Sequence, residues 1–342
     1  MLKLYTLFNP GTDHMASCRI PELLLTGRGT LLAFCEYRYR PDDSDPMAIA
    51  VRRREAGGAW GDLRVVQEEL DGWVGNPAAF CAGGEAHLVF SKNNSQLFVA
   101  TSHDDGATFD EPRDITYVLE KYRGTWDPVM FGAGPGGVCA SASGRVFVPV
   151  WIANGRHVYT DGGIYPTSPQ RAAVIYSDDC GKTWGAGDLI YDKGNPGVSY
   201  DEAQMIETPD GYLLSIRHKD GRRRRAFARS KDGVRWGEPQ VNEAIKECDC
   251  QAALKRFGDL VLASQPDCET KRVRMSIQYS RDYGATFSKP VLLNEGASAY
   301  SALERLPDGT FVCMFETYVA TDRFSGGYSE TVAEFDMEFL LG

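Results

Sequence analysis

The stretches 102–109 (SHDDGATF), 177–184 (SDDCGKTW) and 280–287 (SRDYGATF) share the pattern S-x-D-x-G-x-T followed by an aromatic residue. Residues 230–236 (SKDGVRW) are a shortened copy, and residues 53–60 are a more decayed one. The Ser and Asp side chains of such a pattern cap a hairpin turn by hydrogen bonding to backbone amides, while the Gly supplies a positive φ and the aromatic ring packs under the turn. The pattern therefore predicts a hairpin turn that recurs along the chain.

The spacing of these turns indicates the architecture. Their closing aromatic residues lie 49, 75, 52 and 51 residues apart, and three of these steps match the period of a four-stranded propeller blade. Short β-type runs such as LLAF at 31–34 and FVCMF at 311–315 lie between turn signals, and no long segment with a 3.6-residue period competes with them. The sequence predicts an all-β propeller.

Charge and composition exclude several kinds of partner. The chain has 342 residues, a formal net charge of -10 and a pI near 5.1, so it lacks the basic surface that nucleic acids and acidic membranes require. The basic run at 222–225 follows a turn signal and is interpreted as a solvated hairpin tip. No apolar run reaches a membrane-spanning length. We expect no nucleic-acid partner and no membrane segment.

The N-terminal residues and the cysteines suggest a compartment. The first ten residues contain neither a long apolar stretch nor a small-residue cleavage site, which predicts a cytoplasmic protein, or a secreted one if a leader was removed. The nine cysteines lack zinc-type spacing and are expected to be free thiols in a reducing compartment. No metal site is predicted.

Four further segments carry functional residues: CRIP at 18–21 with GTLLAFCEYR at 29–38, the block DEAQMIETPDGYLLSIR at 201–217, the strand KRVRMSIQYS at 271–280, and the segment 298–316 that begins SAYS. Together with the repeats, which look like Asp-boxes, these segments resemble the sialidase superfamily over nearly the whole chain. The resemblance implies a six-bladed β-propeller, with residues 1–342 as a single catalytic domain. It also implies a retaining exo-α-sialidase that acts on sialylated glycans and needs neither a metal nor an organic cofactor.

The resemblance assigns roles to individual residues. The anomeric carbon of sialic acid bears a carboxylate that must be recognised and that repels a carboxylate nucleophile, so a tyrosine replaces the usual acidic nucleophile. By resemblance, Tyr300 is that nucleophile and Glu202 is its base. The implied supporting residues are Arg19, Arg217 and Arg272 on the substrate carboxylate, Arg38 and Asn76 as further substrate contacts, and Glu316 orienting Arg19. The arginines are expected to favour the ionised form of the tyrosine.

Two assignments leave alternatives open. The acid/base residue of the family stands nine residues before an arginine pair, which selects Asp43, but Asp42 and Asp45 lie in the same loop. Arg272 fits the third arginine of the family better than Arg274, although strand alternation puts both on one face and register decides between them.

The same sequence features are consistent with three other functions. A non-catalytic sialoside-binding propeller would keep the turns and arginines. An enzyme on the same scaffold would transfer the sugar or release an anhydro product. A hydrolase of a related ulosonic acid, such as the deaminated sialic acid, would differ in the pocket for the acyl group. These alternatives remain open from the sequence.

Overall fold

The structure is a computed structural model that describes residues 1–40, 46–158, 164–167, 169–318 and 327–342. Strands dominate it, with two short helices, α1 (Pro10–Asp13) and α2 (Met337–Leu341), and a 3₁₀ helix at Thr116–Tyr122 within these ranges. Turn residues separate the strands at short intervals, in line with the absence of a long helix from the described ranges.

The strands follow the chain in groups, one group for each blade. The chain begins with β1 (Leu2–Phe8), which belongs to the last blade. The first group is then β2 (Ser17–Leu25), β3 (Leu31–Arg38), β4 (Met47–Arg54) and β5 (Arg64–Glu69), and the second is β6 (Val74–Ala82), β7 (Glu85–Lys92), β8 (Gln96–Ser102) and β9 (Arg113–Asp114). The third is β10 (Met130–Ala133), β11 (Cys139–Ala140), β12 (Val146–Ala153), β13 (Arg156–Val158), β14 (Ile164–Pro166), β15 (Gln170–Ser177) and β16 (Gly185–Ala186). The last three are β17 (Tyr200–Thr208), β18 (Gly211–His218), β19 (Arg224–Ser230) and β20 (Gln240–Lys246); β21 (Ala253–Phe257), β22 (Leu260–Pro266), β23 (Val273–Ser280) and β24 (Val291–Ala297); and β25 (Ser301–Arg305), β26 (Phe311–Tyr318) and β27 (Tyr328–Phe335).

The strands of the described residues form six antiparallel blades, and this confirms the predicted all-β, six-bladed propeller. Five blades have four strands and the third has five, with β13 and β14 paired in a separate hairpin beside it. That hairpin and the 3₁₀ helix both lie between the first and second clear repeats. They account for the one long step of 75 residues between closing aromatics.

The sixth blade is closed by the start of the chain. Strand β1 pairs antiparallel with β27, from Leu2 opposite Phe335 to Thr6 opposite Thr331, while β25 and β26 complete the sheet. Strands far apart in sequence therefore share one blade, which joins the two ends of the ring.

The repeated turns lie after the third strand of a blade, on the face opposite the starts of the innermost strands. In the copy at 177–184, the Asp179 carboxylate accepts from the Thr183 amide at 2.8 Å and from its hydroxyl at 2.6 Å, and the Ser177 hydroxyl accepts from the Gly181 amide at 2.8 Å. Each turn also packs against the preceding blade. At Gly284, with φ of +81°, an added Cβ would lie 2.5 Å from Leu213 of that blade.

The hydrophobic core lies between neighbouring sheets. One cluster joins Leu32 and Phe34 of the first blade to Leu88 and Phe90 of the second, and all four side chains are buried. Similar clusters fill the other interfaces between blades. Because both faces of the inner strands are covered, strands such as β3 and β22 are apolar and buried along most of their length, whereas outer strands such as β5 and β20 are polar and exposed.

The basic run at 222–225 departs from its sequence interpretation. Arg222 is exposed in the turn and pairs with Asp220, as expected of a hairpin tip. Arg225, however, is fully buried, and its Nη1 lies 2.7 Å from Glu247 and donates to the Cys250 carbonyl at 2.8 Å. The solvated-tip prediction is wrong for Arg225 because this residue already lies within β19 and faces the interior of the blade.

Candidate active site

The innermost strands of the blades begin on one face of the propeller, and their first residues form the candidate site. Three of these strands carry a β-bulge near their start: between Arg19 and Glu22 in β2, between Gly75 and Ala78 in β6, and between Tyr200 and Ala203 in β17. A bulge breaks strand alternation and re-aims the side chains beside it. It thus brings polar residues of separate blades towards a common centre.

Tyr300 and Glu202 form the centre of the site. The Tyr300 hydroxyl hydrogen bonds to Glu202 Oε1, and Arg217 Nη1 donates to Glu202 Oε2 at 2.6 Å and to the Tyr300 oxygen at 2.9 Å. Each of these three residues exposes less than a tenth of its surface. The tyrosine oxygen therefore lies between a carboxylate and a guanidinium in a nearly dry environment.

Two more arginines flank the tyrosine ring. The guanidinium carbons of Arg19 and Arg272 lie 5.2 Å and 5.4 Å from the ring centroid of Tyr300. Arg19 is held by Glu316, with its Nε donating to Oε1 at 3.0 Å and its Nη2 donating to Oε2 at 3.2 Å. This bidentate pair is the geometry expected for Glu316 orienting Arg19.

The structure separates Arg272 from Arg274. Arg274 has φ of +65° and pairs with Glu295 at the surface, whereas Arg272 is part of the cluster around Tyr300. The expectation that both share one strand face is wrong, because the pairing of β23 with β24 is irregular between Val273 and Met275. The irregularity turns Arg274 away from the site.

The electrostatics of Tyr300 differ from the expectation. Burial raises the pKa of Tyr300 well above its usual range and the Glu202 carboxylate raises it further, whereas Arg217, Arg272 and Arg19 lower it. The arginines act in the expected direction, but burial outweighs them. Tyr300 is therefore a neutral hydroxyl here, and a nearby base is needed to remove its proton.

Arg38 and Asn76 lie in an adjoining cluster. The Arg38 Nε donates to the buried Glu36 at 3.0 Å, and the backbone amide of Asn76 donates to the other oxygen of Glu36, also at 3.0 Å. Asn76 has φ of +54° and exposes 7% of its surface. Glu36 thus links the first blade to the second beside the bulges of β2 and β6.

Asp43, Asp42 and Asp45 lie outside the described residues. The assignment of an acid/base residue in this loop therefore stays a prediction.

Three acidic residues to which the sequence assigned no role also lie around the site. Glu36 stands inside the GTLLAFCEYR segment, so the motif itself signalled it. Asp201 precedes Glu202, and its burial and the Glu202 charge raise its pKa to about 6. Asp249 contacts Arg217 through its side chain and Arg272 through its main chain, and it belongs to no motif that the sequence reveals.

Metal-ligand clusters, disulfides and membrane-spanning helices are absent from the described residues. Among the described residues, no cluster of three or more His, Cys, Asp or Glu side chains is arranged to hold a metal ion. All nine cysteines are free thiols. Within the same described ranges, no helix has the length and apolar character needed to cross a membrane.

Known proteins show the same combination of fold and repeats. Residues 29–313 match the BNR repeat-like domain family. The chain is 28% identical to a sialidase of Bacteroides fragilis and 26% identical to one of Micromonospora viridifaciens, over 91% and 90% of its own length. It spans 62% and 50% of those two proteins.

Solved structures agree on the fold. The Hadza microbial sialidase Hz136 superposes with a TM-score of 0.79 at 24% identity, covering 98% of this chain and 68% of that one. The intramolecular trans-sialidase from Ruminococcus gnavus gives 0.75 at 16% identity and covers 98% of both chains.

Six blades, repeated Asp-box turns and a polar site at the starts of the inner strands define a BNR-type β-propeller. The chain belongs to the BNR repeat-like domain family, within the sialidase superfamily.

Proposed function

We propose that the protein is a retaining exo-α-sialidase that releases a terminal sialic acid, or a closely related nonulosonic acid, from glycoconjugates. One observation carries the proposal: the Tyr300 hydroxyl hydrogen bonds to Glu202 while Arg19, Arg217 and Arg272 surround the tyrosine. The names of the related sialidases support the same substrate class.

The arginine cluster suits an anionic sugar. Guanidinium groups bind carboxylates through paired N–H donors, and three of them around one point form a strong site for a single carboxylate. A substrate carboxylate held there lies on the carbon that is to be attacked, so recognition and reaction share one position. The neutral Tyr300 hydroxyl approaches this anionic centre without the repulsion that a carboxylate nucleophile would meet.

In the first step, Glu202 takes the proton of the Tyr300 hydroxyl as the phenolic oxygen bonds to the anomeric carbon. The bond from that carbon to the aglycone oxygen breaks, and the leaving oxygen receives a proton from the acid/base residue, for which we propose Asp43. Arg217 contacts both Glu202 and the tyrosine oxygen, so it stabilises the negative charge that passes between them.

In the second step, water attacks the anomeric carbon as Asp43 accepts its proton. The bond to the tyrosine oxygen breaks, and Glu202 returns the proton to that oxygen. Two inversions at one carbon leave its configuration unchanged, so the sugar is released as the α-anomer. No step requires a group from outside the chain except the substrate and water.

The test is hydrolysis of a fluorogenic α-sialoside, and of its deaminated analogue, by the wild type and by Tyr300→Phe. We expect the wild type to release fluorophore and the variant to lose at least about a thousandfold in kcat, because the nucleophile is removed. The ratio of the two substrates identifies the preferred sugar. Proton NMR of the first product shows its anomeric form.

A matched control is Tyr279→Phe, which removes a hydroxyl from a tyrosine packed at a blade interface away from the site. Its rate should equal that of the wild type. A folded wild type that binds sialosides without cleaving them would indicate a binding propeller instead. An anhydro or transferred product would indicate the shifted chemistry of the same scaffold.

A further inference from the structure

The turn between β20 and β21 carries a residue that contacts two of the arginines. Asp249 Oδ1 accepts from Arg217 Nε at 2.9 Å and lies 2.8 Å from Arg217 Nη2. The backbone carbonyl of Asp249 accepts from Arg272 Nη2 at 2.7 Å. Arg217 belongs to the fourth blade and Arg272 to the fifth, so this one residue bridges the arginines of neighbouring blades.

We propose that Asp249 is a positioning residue that sets the spacing and orientation of Arg217 and Arg272 for an anionic ligand. The inference rests on the proposed function for its substrate. The positions of the Arg217 and Arg272 guanidinium groups depend on Asp249 whether or not the ligand is a sialoside.

The Asp249 side chain is 42% exposed, but the main chain next to it is held by buried polar contacts. The Cys250 amide donates to Glu247 at 2.8 Å, and Arg225 Nη1 contacts both Glu247 and the Cys250 carbonyl. The thiols on either side of Asp249, Cys248 and Cys250, are buried against Tyr300 and Ile20. A backbone supported in this way helps to hold a positioning side chain within about 0.5 Å of its working geometry.

Asp249 also fixes which edge of the Arg217 guanidinium faces the tyrosine. One edge of the guanidinium, Nη1, faces Glu202 and Tyr300, while Nε and Nη2 face Asp249. Without the Asp249 carboxylate, Arg217 would be free to turn and form a bidentate pair with Glu202. Glu202 would then lose its hydrogen bond to Tyr300, and Arg217 would leave its place beside Arg272.

Two substitutions separate the contributions. Asp249 has φ of +61°, a conformation that Gly adopts freely and Asn tolerates. Asp249→Gly removes the carboxylate and keeps the main-chain bond to Arg272, whereas Asp249→Asn keeps the shape and removes the charge. Glu295→Gln is the matched control, because Glu295 pairs with the outward-facing Arg274.

We expect Asp249→Gly to lower kcat/KM about tenfold or more, in the range seen when a residue that orients a ligand-binding group is removed. The loss should appear both as a raised KM, because the arginines bind the substrate carboxylate, and as a lowered kcat, because Glu202 loses its contact with the Tyr300 hydroxyl. Asp249→Asn should be intermediate, and Glu295→Gln should stay within twofold of wild type. Crystal structures of wild type and Asp249→Gly should show the Arg217 guanidinium turned towards Glu202 in the variant.

Arg217 and Arg272 in unchanged positions in the Asp249→Gly crystal would overturn the proposal, and so would a kcat/KM equal to that of the control. Thermal melts test whether both variants are folded, and Asp249→Asn keeps the proposal testable if Asp249→Gly does not fold. If the wild type cleaves no sialoside, the proposed function fails. The guanidinium positions in the crystals then still decide whether Asp249 positions the arginines.

Discussion

Ile20 has φ of +59°, a conformation that β-branched residues rarely adopt. Its amide donates to Glu316 at 2.9 Å, and Glu316 at the same time holds Arg19. Backbone strain of this kind persists only where surrounding contacts enforce it, and it is common at functional sites. At the residue scale, the Arg-Ile-Pro segment therefore orients Arg19 through a local conformation that costs free energy.

The choice between two nearby arginines is testable. We expect Arg272→Lys to lower kcat/KM about a hundredfold, because lysine keeps the charge but loses the planar pair of donors, and buried charge contacts of this kind are worth about 2–5 kcal/mol. Arg274→Lys, at the surface with Glu295, should stay within twofold of wild type. Equal losses in steady-state assays of the two variants would contradict the assignment.

Asp201 gives a prediction on stability and pH. Its pKa is raised to about 6, first by burial and then by the charge of Glu202. The folded state thus binds this proton more tightly than the unfolded state, so ionisation of Asp201 destabilises the fold as the pH rises from about 4 through 6. Asp201→Asn should therefore be more stable than wild type near pH 7.5, by up to about 3 kcal/mol.

The measurement is urea unfolding of both proteins at pH 7.5 and at pH 4.5. The gain from Asp201→Asn should shrink at the lower pH, because wild-type Asp201 is then mostly protonated in the fold. The exposed Asp259→Asn serves as the control and should leave the free energy of unfolding unchanged at both values. If the stability gain of Asp201→Asn were larger at pH 4.5 than at pH 7.5, the pKa of Asp201 would be lowered in the folded state and not raised.

At the element scale, the bulges explain how regular strands build an irregular site. Strand alternation alone would direct every second residue of β2, β6 and β17 to the same side. The bulge near each start lets neighbouring residues such as Asp201 and Glu202 both lie within the site. The remainder of each strand stays regular and packs in the core between blades.

The repeated turns are structural elements, and one pair of neighbouring aspartates tests this. We expect Asp179→Ala to lower the free energy of unfolding by about 1–2 kcal/mol, because it removes the acceptor for the Thr183 amide and hydroxyl. Asp178→Ala removes only a surface contact with Arg145 and should cost less than about 1 kcal/mol.

Both variants should keep full activity, since this turn lies on the face away from Tyr300. Urea unfolding and the sialoside assay check the two expectations separately. A loss of activity without a loss of stability in Asp179→Ala would place the turn in the function instead.

At the scale of the whole molecule, closure of the ring depends on β1. Phe8 is fully buried between the first and last blades, whereas Leu4 in the same strand is 44% exposed. We expect Phe8→Ala to destabilise the protein by about 3–5 kcal/mol, as large-to-small changes in a core do. Leu4→Ala should cost less than about 1 kcal/mol. Similar midpoints for both variants in thermal or urea unfolding would mean that β1 contributes little to closure.

The sequence by itself determined the propeller class and most of the candidate site. Each repeated turn can be recognised from about eight consecutive residues, because its hydrogen bonds join positions no more than about four apart. The resemblance to sialidases then identified Tyr300, Glu202 and the arginines, all of which the structure brings together.

Only the tertiary structure decided which neighbours hold these residues. Arg19 meets Glu316 across 297 positions and Arg217 meets Tyr300 across 83, and contacts at such distances leave no local pattern. The bulge that turns Arg274 outward depends on pairing between β23 and β24, and the burial of Arg225 depends on the packing of its blade. Asp249 lies beside two arginines because the fourth and fifth blades pack next to each other there, a contact that no local sequence pattern shows.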